Sequence, residues 1–259
     1  MSEWSWSKRR PLEGYKTVLD RTKKTKGHVK LKGGEPKFLS GRYSPLSEIL
    51  RLFRIFWEFF RGFRVFHSLG PAVTVFGSAR FTKDHPYYQV GIELGKRLAE
   101  EGFVTVTGGG PGLMEATSRG AYEAGGVTVG ANIVLPREQA PNLFLTHTMT
   151  FYYFFVRKVI LIKYSSAYIV LPGGFGTLDE MMEAMMLIQN GKLNRFPIIL
   201  VGAQYWQGLI HWMKNTMIKD SAISVEDLKD ILMTDDIEEA IFKVKSSTQS
   251  LFEGSLKRG

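Results

Sequence analysis

From Gly70 onward, short apolar runs alternate with helical stretches, and this alternation constrains the fold more than any other feature of the chain. The order is AVTVFGS, YYQVGIELGKRLAEEG, FVTVTGGG, GLMEATSRGAYEAGG and VTVGANIVL, followed by FFVRKVILIKYS, AYIVLPGG, TLDEMMEAMMLIQNGKL, FPIILVG and YWQGLIHWMKNTMIK. Runs that stay apolar at nearly every position suit strands buried on both faces. Strands separated by helices pair in parallel through right-handed crossovers. The pattern predicts one α/β domain over 70–259, a doubly wound parallel sheet with helices on both faces. No internal repeat or low-complexity tract competes with it.

The first quarter is different. The net charge of +9 resides there: residues 1–70 hold 16 Lys+Arg against 6 Asp+Glu, and the remainder 18 against 19. Charge of this kind speaks to association rather than fold. Residues 1–45 are rich in Lys, Gly, Ser and Pro and read as an extended basic arm that packs loosely or reaches across a partner subunit. Contact of this arm with nucleic acid is the less favoured reading. Residues 46–69 read as an amphipathic helix, in which Arg51, Arg54, Glu58, Arg61 and Arg64 draw one polar stripe and seven aromatics fill the rest. Such a helix suits an anionic membrane surface. Its wide apolar face, with a globular body following at once, points instead to packing on the body or along a dimer seam.

Composition removes several function classes. With no cysteine, the chain has no disulfide scaffold, thiol nucleophile or thiolate zinc site. The five histidines (28, 67, 85, 147 and 211) form no close cluster, so no metal is expected. No uncharged apolar run reaches 18 residues and no apolar segment follows the basic residues of the N-terminus. The expected location is the cytoplasm.

In a parallel sheet, ligands bind beyond the carboxyl ends of the strands. Three glycine-bearing loops are expected there: Gly77-Ser78 after the first strand, Gly108-Gly109-Gly110-Pro111-Gly112 before Leu113-Met114-Glu115, and Gly173-Gly174-Phe175-Gly176-Thr177 after a later one. Glycines at strand-to-helix turns make tight corners, and they also let a phosphate approach backbone N–H groups at the positive end of a helix. Three such loops on one edge favour an anionic ligand. The pattern is neither G-x-G-x-x-G nor a P-loop, so a single phosphate suits it better than a pyrophosphate or a triphosphate.

Thr177-Leu178-Asp179-Glu180 has the spacing of a capping box, with Thr177 as N-cap and Glu180 folding back at the third helical position. The same spacing sets a carboxylate, kept ionised by the helix dipole, beside a phosphate loop. Both readings stand. Arg157 and Lys158 lie in a strongly apolar stretch and need anionic partners. A phosphate, a positioned carboxylate or a structural acid would each serve.

These residues resemble the LOG ("lonely guy") family. Pro172 to Glu180 matches its P-G-G-x-G-T-x-x-E motif, and Thr107 to Ala116 resembles its second motif, with the likeness running from about Gly70 to Met217. The resemblance implies a Rossmann-like homodimer that cleaves the N-glycosidic bond of nucleoside 5′-monophosphates, AMP or cytokinin riboside 5′-monophosphates, without a cofactor. It implies Arg157 and Glu180 as catalytic residues. Glu138, Lys158 and the loop from Gly173 to Thr177 are implied as substrate contacts, with Glu115 and Glu138 as secondary carboxylates. The chemistry suits those residue types, because an anion near the anomeric carbon stabilises an oxocarbenium-like ribose. A non-catalytic nucleotide sensor on the same fold is the alternative. Relatives are often labelled lysine decarboxylases, but that chemistry needs a Schiff-base lysine and partners for pyridoxal phosphate, which a phosphate loop does not supply.

Overall fold

The computed structural model describes residues 45–135, 140–193 and 196–256. The arm therefore lies outside the described residues, and so does Glu138. Helix α1 (Pro45–His67) leads into β1 (Ala72–Phe76), α2 (Pro86–Glu100), β2 (Val104–Thr107), α3 (Leu113–Glu123) and β3 (Thr128–Ile133). There follow β4 (His147–Phe151), α4 (Phe154–Lys163), β5 (Ala167–Val170), α5 (Phe175–Gln189), β6 (Ile198–Val201), α6 (Ala203–Trp212), β7 (Ile231–Thr234) and α7 (Ile237–Leu256).

The seven strands form one parallel sheet in the order β4-β3-β2-β1-β5-β6-β7. Strands β1, β2, β5 and β6 are buried at every position, as runs covered on both faces must be. Side chains alternate between two cores. On one face Val73, Val75 and Ile169 pack with Leu94 and Leu98 of α2, Leu113 of α3 and Ile241 of α7. On the other, Phe76, Tyr168 and Val170 pack with Val156 and Ile160 of α4, Met181 of α5 and Trp206 of α6. The sheet is doubly wound, as the alternation predicted.

Two edge strands were not foreseen. In β4 only Met149 and Phe151 are buried, and in β7 only Thr234. Half-exposed edges carry no continuous apolar run, so HTMTF and ILMT gave no strand signal.

Local chemistry fixes the helix ends and contacts. Pro86 opens α2, and the Nδ1 of His85 accepts the N–H of Tyr87 at 3.3 Å, satisfying one orphan donor. Helices α2 and α3 touch backbone to backbone. A Cβ on Gly95 would stand 2.0 Å from the Thr117 carbonyl oxygen, and one on Gly120 only 1.8 Å from that of Ile92.

Helix α1 packs on the body along a narrow strip. Glu58, Gly62 and Phe66 are buried, whereas Leu46, Leu50, Leu52, Phe53, Phe56 and Trp57 are more than half exposed. Burying Phe66, 1% exposed, contributes on the order of 2 kcal/mol. No helix among the described residues is long and apolar enough to cross a membrane.

Candidate active site

The carboxyl ends of β1, β2 and β5 bring the three loops together. The backbone stitches them: Ser78 N donates to Pro172 O at 3.0 Å, and Leu113 N donates to Ser78 O at 2.9 Å. Gly112, at φ +73°, is obligatory, because a Cβ there would lie 2.3 Å from the Ser78 carbonyl oxygen. Gly77 is needed for the same close approach, 2.9 Å from the Leu113 Cβ. For these two glycines the structure supplies a packing reason.

The β2 loop is held from inside. Gly109, also at positive φ, donates its N–H to the Thr107 hydroxyl at 3.0 Å, and its carbonyl accepts the N–H of Asn142 at 2.9 Å. The Asn142 side-chain amide donates to Gly110 O at 3.1 Å. The amides of Ser78 and Gly109, both expected in the phosphate cradle, are thus already committed within the protein. The N–H groups of Met114 and Glu115 remain for a ligand, since no side chain caps α3 and first-turn donors have no intrahelical partner.

The start of α5 corrects the sequence reading. Gly174, not Thr177, is the N-cap, and no side chain caps the helix. Thr177 lies inside the first turn, its N–H bonded to Gly174 O at 3.0 Å, and its hydroxyl packs where a Cβ on Gly173 would be. Glu180 therefore falls in the second turn, beyond reach of the helix start, and the capping box does not form. Backbone geometry leaves the N–H groups of Phe175 and Gly176 without an intrahelical partner. Nothing lies within 4 Å of a Cβ built on Gly174 or Gly176, so these glycines face open space.

Helix α4 aims Arg157 at Glu180. The guanidinium Nη1 stands 3.9 Å from Glu180 Oε1, with the side chains only 12% and 4% exposed. The pairing is loose, and both Arg157 Nε and Glu180 Oε2 are buried without a hydrogen-bond partner. Arg157 Nη2 and the Met114 sulfur lie close against Gly108, at 3.0 and 2.6 Å from the position of a Cβ there. Burial pushes the Glu180 carboxyl up from 4.5 to about 7, against the pull of Arg157 and Lys158. The expectation of a first-turn carboxylate kept ionised by the dipole does not apply, because Glu180 lies in the second turn, where burial raises its pKa and Arg157 and Lys158 oppose the rise. Burial likewise lowers the Arg157 pKa, opposed by Glu180 and Asp179.

Lys158 has structural acids for partners, Asp179 at 2.8 Å and Glu183 at 2.6 Å. Burial alone would lower its pKa, but these hydrogen bonds carry it above the ordinary value. Its ammonium is thus engaged by two carboxylates rather than presented as a free amine. Glu115 accepts from the Tyr88 hydroxyl at 2.9 Å and lies 4.0 Å from Lys83, and burial with this bond raises Tyr88 to about 12. Ser78 accepts the N–H of Arg80 at 3.1 Å. Phe175 is 92% exposed.

Several site residues escaped the sequence reading. Asp179 and Glu183 are spaced i,i+4 on α5, a signal that they share a face. Tyr205 donates to Gly173 O at 2.8 Å and steadies the loop from α6. The buried Asn132 sets its unpartnered Oδ1 against Gly109, and nothing in its sequence context marked it.

A family profile described as "Possible lysine decarboxylase" matches residues 114–244. The chain is 34% identical over 142 residues to the probable cytokinin riboside 5′-monophosphate phosphoribohydrolase LOGL5 of Oryza sativa subsp. japonica, covering 53% of this chain and 57% of that protein. It is 32% identical over 161 residues to the cytokinin riboside 5′-monophosphate phosphoribohydrolase of Mycobacterium tuberculosis, covering 59% and 82%. The like-named protein of Rhodococcoides fascians is 27% identical over 181 residues, covering 68% and 89%. Among solved structures, TM1055 superposes with a TM-score of 0.55 at 26% identity, over 68% of this chain and 99% of that one. The molybdenum cofactor binding protein of Rippkaea orientalis, at 24% identity and a TM-score of 0.50, shares the fold. The glycine-loop motifs, the parallel sheet that presents them and these relatives agree, and the chain belongs to the LOG family.

Proposed function

We propose that the chain hydrolyses the N-glycosidic bond of nucleoside 5′-monophosphates, whether AMP, cytokinin riboside 5′-monophosphates or both, releasing free base and ribose 5-phosphate. The observation that carries this reading is the buried, loosely paired Arg157–Glu180 couple, each member with an orphaned polar atom, beneath two uncapped helix starts. A buried ion pair serving stability alone would be close and fully bonded. This one is neither.

The N–H groups at the starts of α3 and α5 suit the 5′-phosphate. With the phosphate held there, the ribose lies toward Glu180. As the base departs, positive charge grows on the anomeric carbon and ring oxygen, and the Glu180 carboxylate stabilises it while directing a water to that carbon. A carboxyl titrating near pH 7 is also poised to accept the water's proton, while the nitrogen of the departing base takes up a proton from solvent, so that free base and ribose 5-phosphate are the balanced products. Arg157 keeps carboxylate and substrate in register. Lys158, clamped by Asp179 and Glu183, ties α4 to α5 and so holds the couple in place.

A homodimer is part of the proposal. The exposed apolar face of α1, the neighbouring Phe154 and Val159 of α4, and the fully outward Phe175 of α5 support it.

The test is base release, followed by chromatography, from AMP, isopentenyladenosine monophosphate and adenosine. Release from the monophosphates, little from adenosine and none with Glu180→Ala is the expected result. AMP that binds without turnover in the wild type would overturn the hydrolase reading in favour of a nucleotide sensor.

A further inference from the structure

The polar stripe of α1 has the spacing of a solvated helix face, but part of it grips the start of the catalytic helix. Glu58 is 9% exposed. Its Oε1 accepts the N–H of Tyr152 at 2.6 Å and its Oε2 that of Tyr153 at 3.2 Å. Tyr153 is the N-cap of α4, has no side-chain cap of its own, and accepts the N–H of Arg157 at 3.2 Å. The two backbone N–H groups that lead into α4, those of Tyr152 and of the N-cap residue Tyr153, are therefore held by a carboxylate more than ninety residues away in sequence. An anion at a helix start is favoured by the unpaired N–H groups and by the dipole.

The rest of the stripe reinforces this grip. The Arg54 guanidinium lies over the Tyr152 ring, 5.6 Å from its centre, and Arg54 and Arg51 both act on the buried Tyr153 hydroxyl. Gly62 brings α1 down onto α4, since a Cβ there would lie 2.8 Å from Ile160 Cδ1.

Arg157 depends on such a grip. Its contact with Glu180 is 3.9 Å long and its Nε has no partner, so side-chain bonds do little to fix it. Its place follows from the backbone of α4, one turn after Tyr153. We propose that Glu58 is a positioning residue: by holding the start of α4 from α1 it fixes Arg157, and through Arg157 the alignment of Glu180. The catalytic consequence rests on the reading of Arg157 and Glu180 as the reactive pair.

Charged and titratable groups facing Glu180 are Arg157 and Lys158 from α4, Asp179 and Glu183 from its own helix, and Tyr168 from β5. Glu58 itself meets Tyr152 and Tyr153, flanked by Arg51 and Arg54. Of the groups around Glu180, Arg157 pulls its carboxyl down most strongly. If the α4 start relaxes, Arg157 drifts and the carboxyl titrates higher.

The experiment compares full-length wild type with Glu58→Gln and Glu58→Ala. The Glu180 carboxyl is titrated by carbon NMR, and base release from AMP is followed against pH. Glu58→Gln, close in shape, keeps the fold even if Glu58→Ala does not. The expected result is an upward move of the Glu180 titration by roughly half a pH unit, with a matching move of the acid limb of kcat/KM. Turnover should fall about tenfold while KM stays within about twofold. A titration unchanged in folded Glu58→Gln overturns the proposal, whether or not stability drops. Should the wild type release no base, the hydrolase reading fails, and the NMR titration still decides whether Glu58 governs the pair.

Discussion

Replacing Glu180 by Gln tests what burial of this carboxyl does to the fold. The folded protein holds it at about 7, against 4.5 when it is free of its surroundings, with desolvation as the main cause. Between those values the unfolded chain has released the proton and the folded chain retains it. Stability must then fall as pH rises, by about 1.4 kcal/mol per pH unit from this group alone. The sign follows from the raised folded value: the contribution is fully present below about 4.5 and gone above about 7. The accumulated loss is about 3 kcal/mol, a substantial part of the 5–15 kcal/mol typical of a domain. Gln carries no such proton and shows no such loss. Urea unfolding of the two proteins at pH 5 and pH 8 isolates the effect, because every other titrating group is shared. The two should differ by less than about 1 kcal/mol at pH 5, with Glu180→Gln more stable by about 3 kcal/mol at pH 8 and inactive at both. If Glu180→Gln is the less stable at pH 8, the carboxylate is a structural partner of Arg157 and the reasoning fails.

Two glycine-to-alanine changes should have opposite outcomes. Gly120→Ala drives a Cβ into the Ile92 carbonyl, 1.8 Å away, and should cost at least about 3 kcal/mol by separating α2 from α3, read as a fall in melting temperature. Gly176→Ala meets nothing within 4 Å and sits in the first turn of α5, so the fold should gain up to about 1 kcal/mol. It should nonetheless raise KM for AMP severalfold if the phosphate sits there. Lys158 should form no imine: incubation with pyridoxal phosphate and borohydride should leave it unmodified, as peptide mass mapping would show.

How much of this was legible in the sequence depended on how local each cause is. The five inner strands, β1, β2, β3, β5 and β6, were legible because burial on both faces leaves a nearly unbroken apolar run. The edges β4 and β7 were not, because a half-exposed strand of four or five residues has no distinctive composition. The glycine loops were legible as a set, since a close approach admits no Cβ and leaves glycine in the sequence. Their individual duties were not, because Gly112 answers to Ser78 and Gly109 to Asn132, partners set by the sheet register. The capping-box spacing at Thr177 misled because Gly174 had already turned the chain into the helix. The role of Glu58 was hidden for the same kind of reason. Its i,i+3 and i,i+4 neighbours describe a solvated stripe, and only the docking of α1 on α4 brings the carboxylate to Tyr152 and Tyr153.

The most direct test of the central claim is the identity of the products. Wild-type protein is incubated with AMP and followed by proton and phosphorus NMR. The account predicts free adenine appearing in step with ribose 5-phosphate, its phosphate still esterified, and neither product with Glu180→Gln. Adenosine with inorganic phosphate would place the cut at the wrong bond, and intact AMP after long incubation would remove catalysis from the Arg157–Glu180 site.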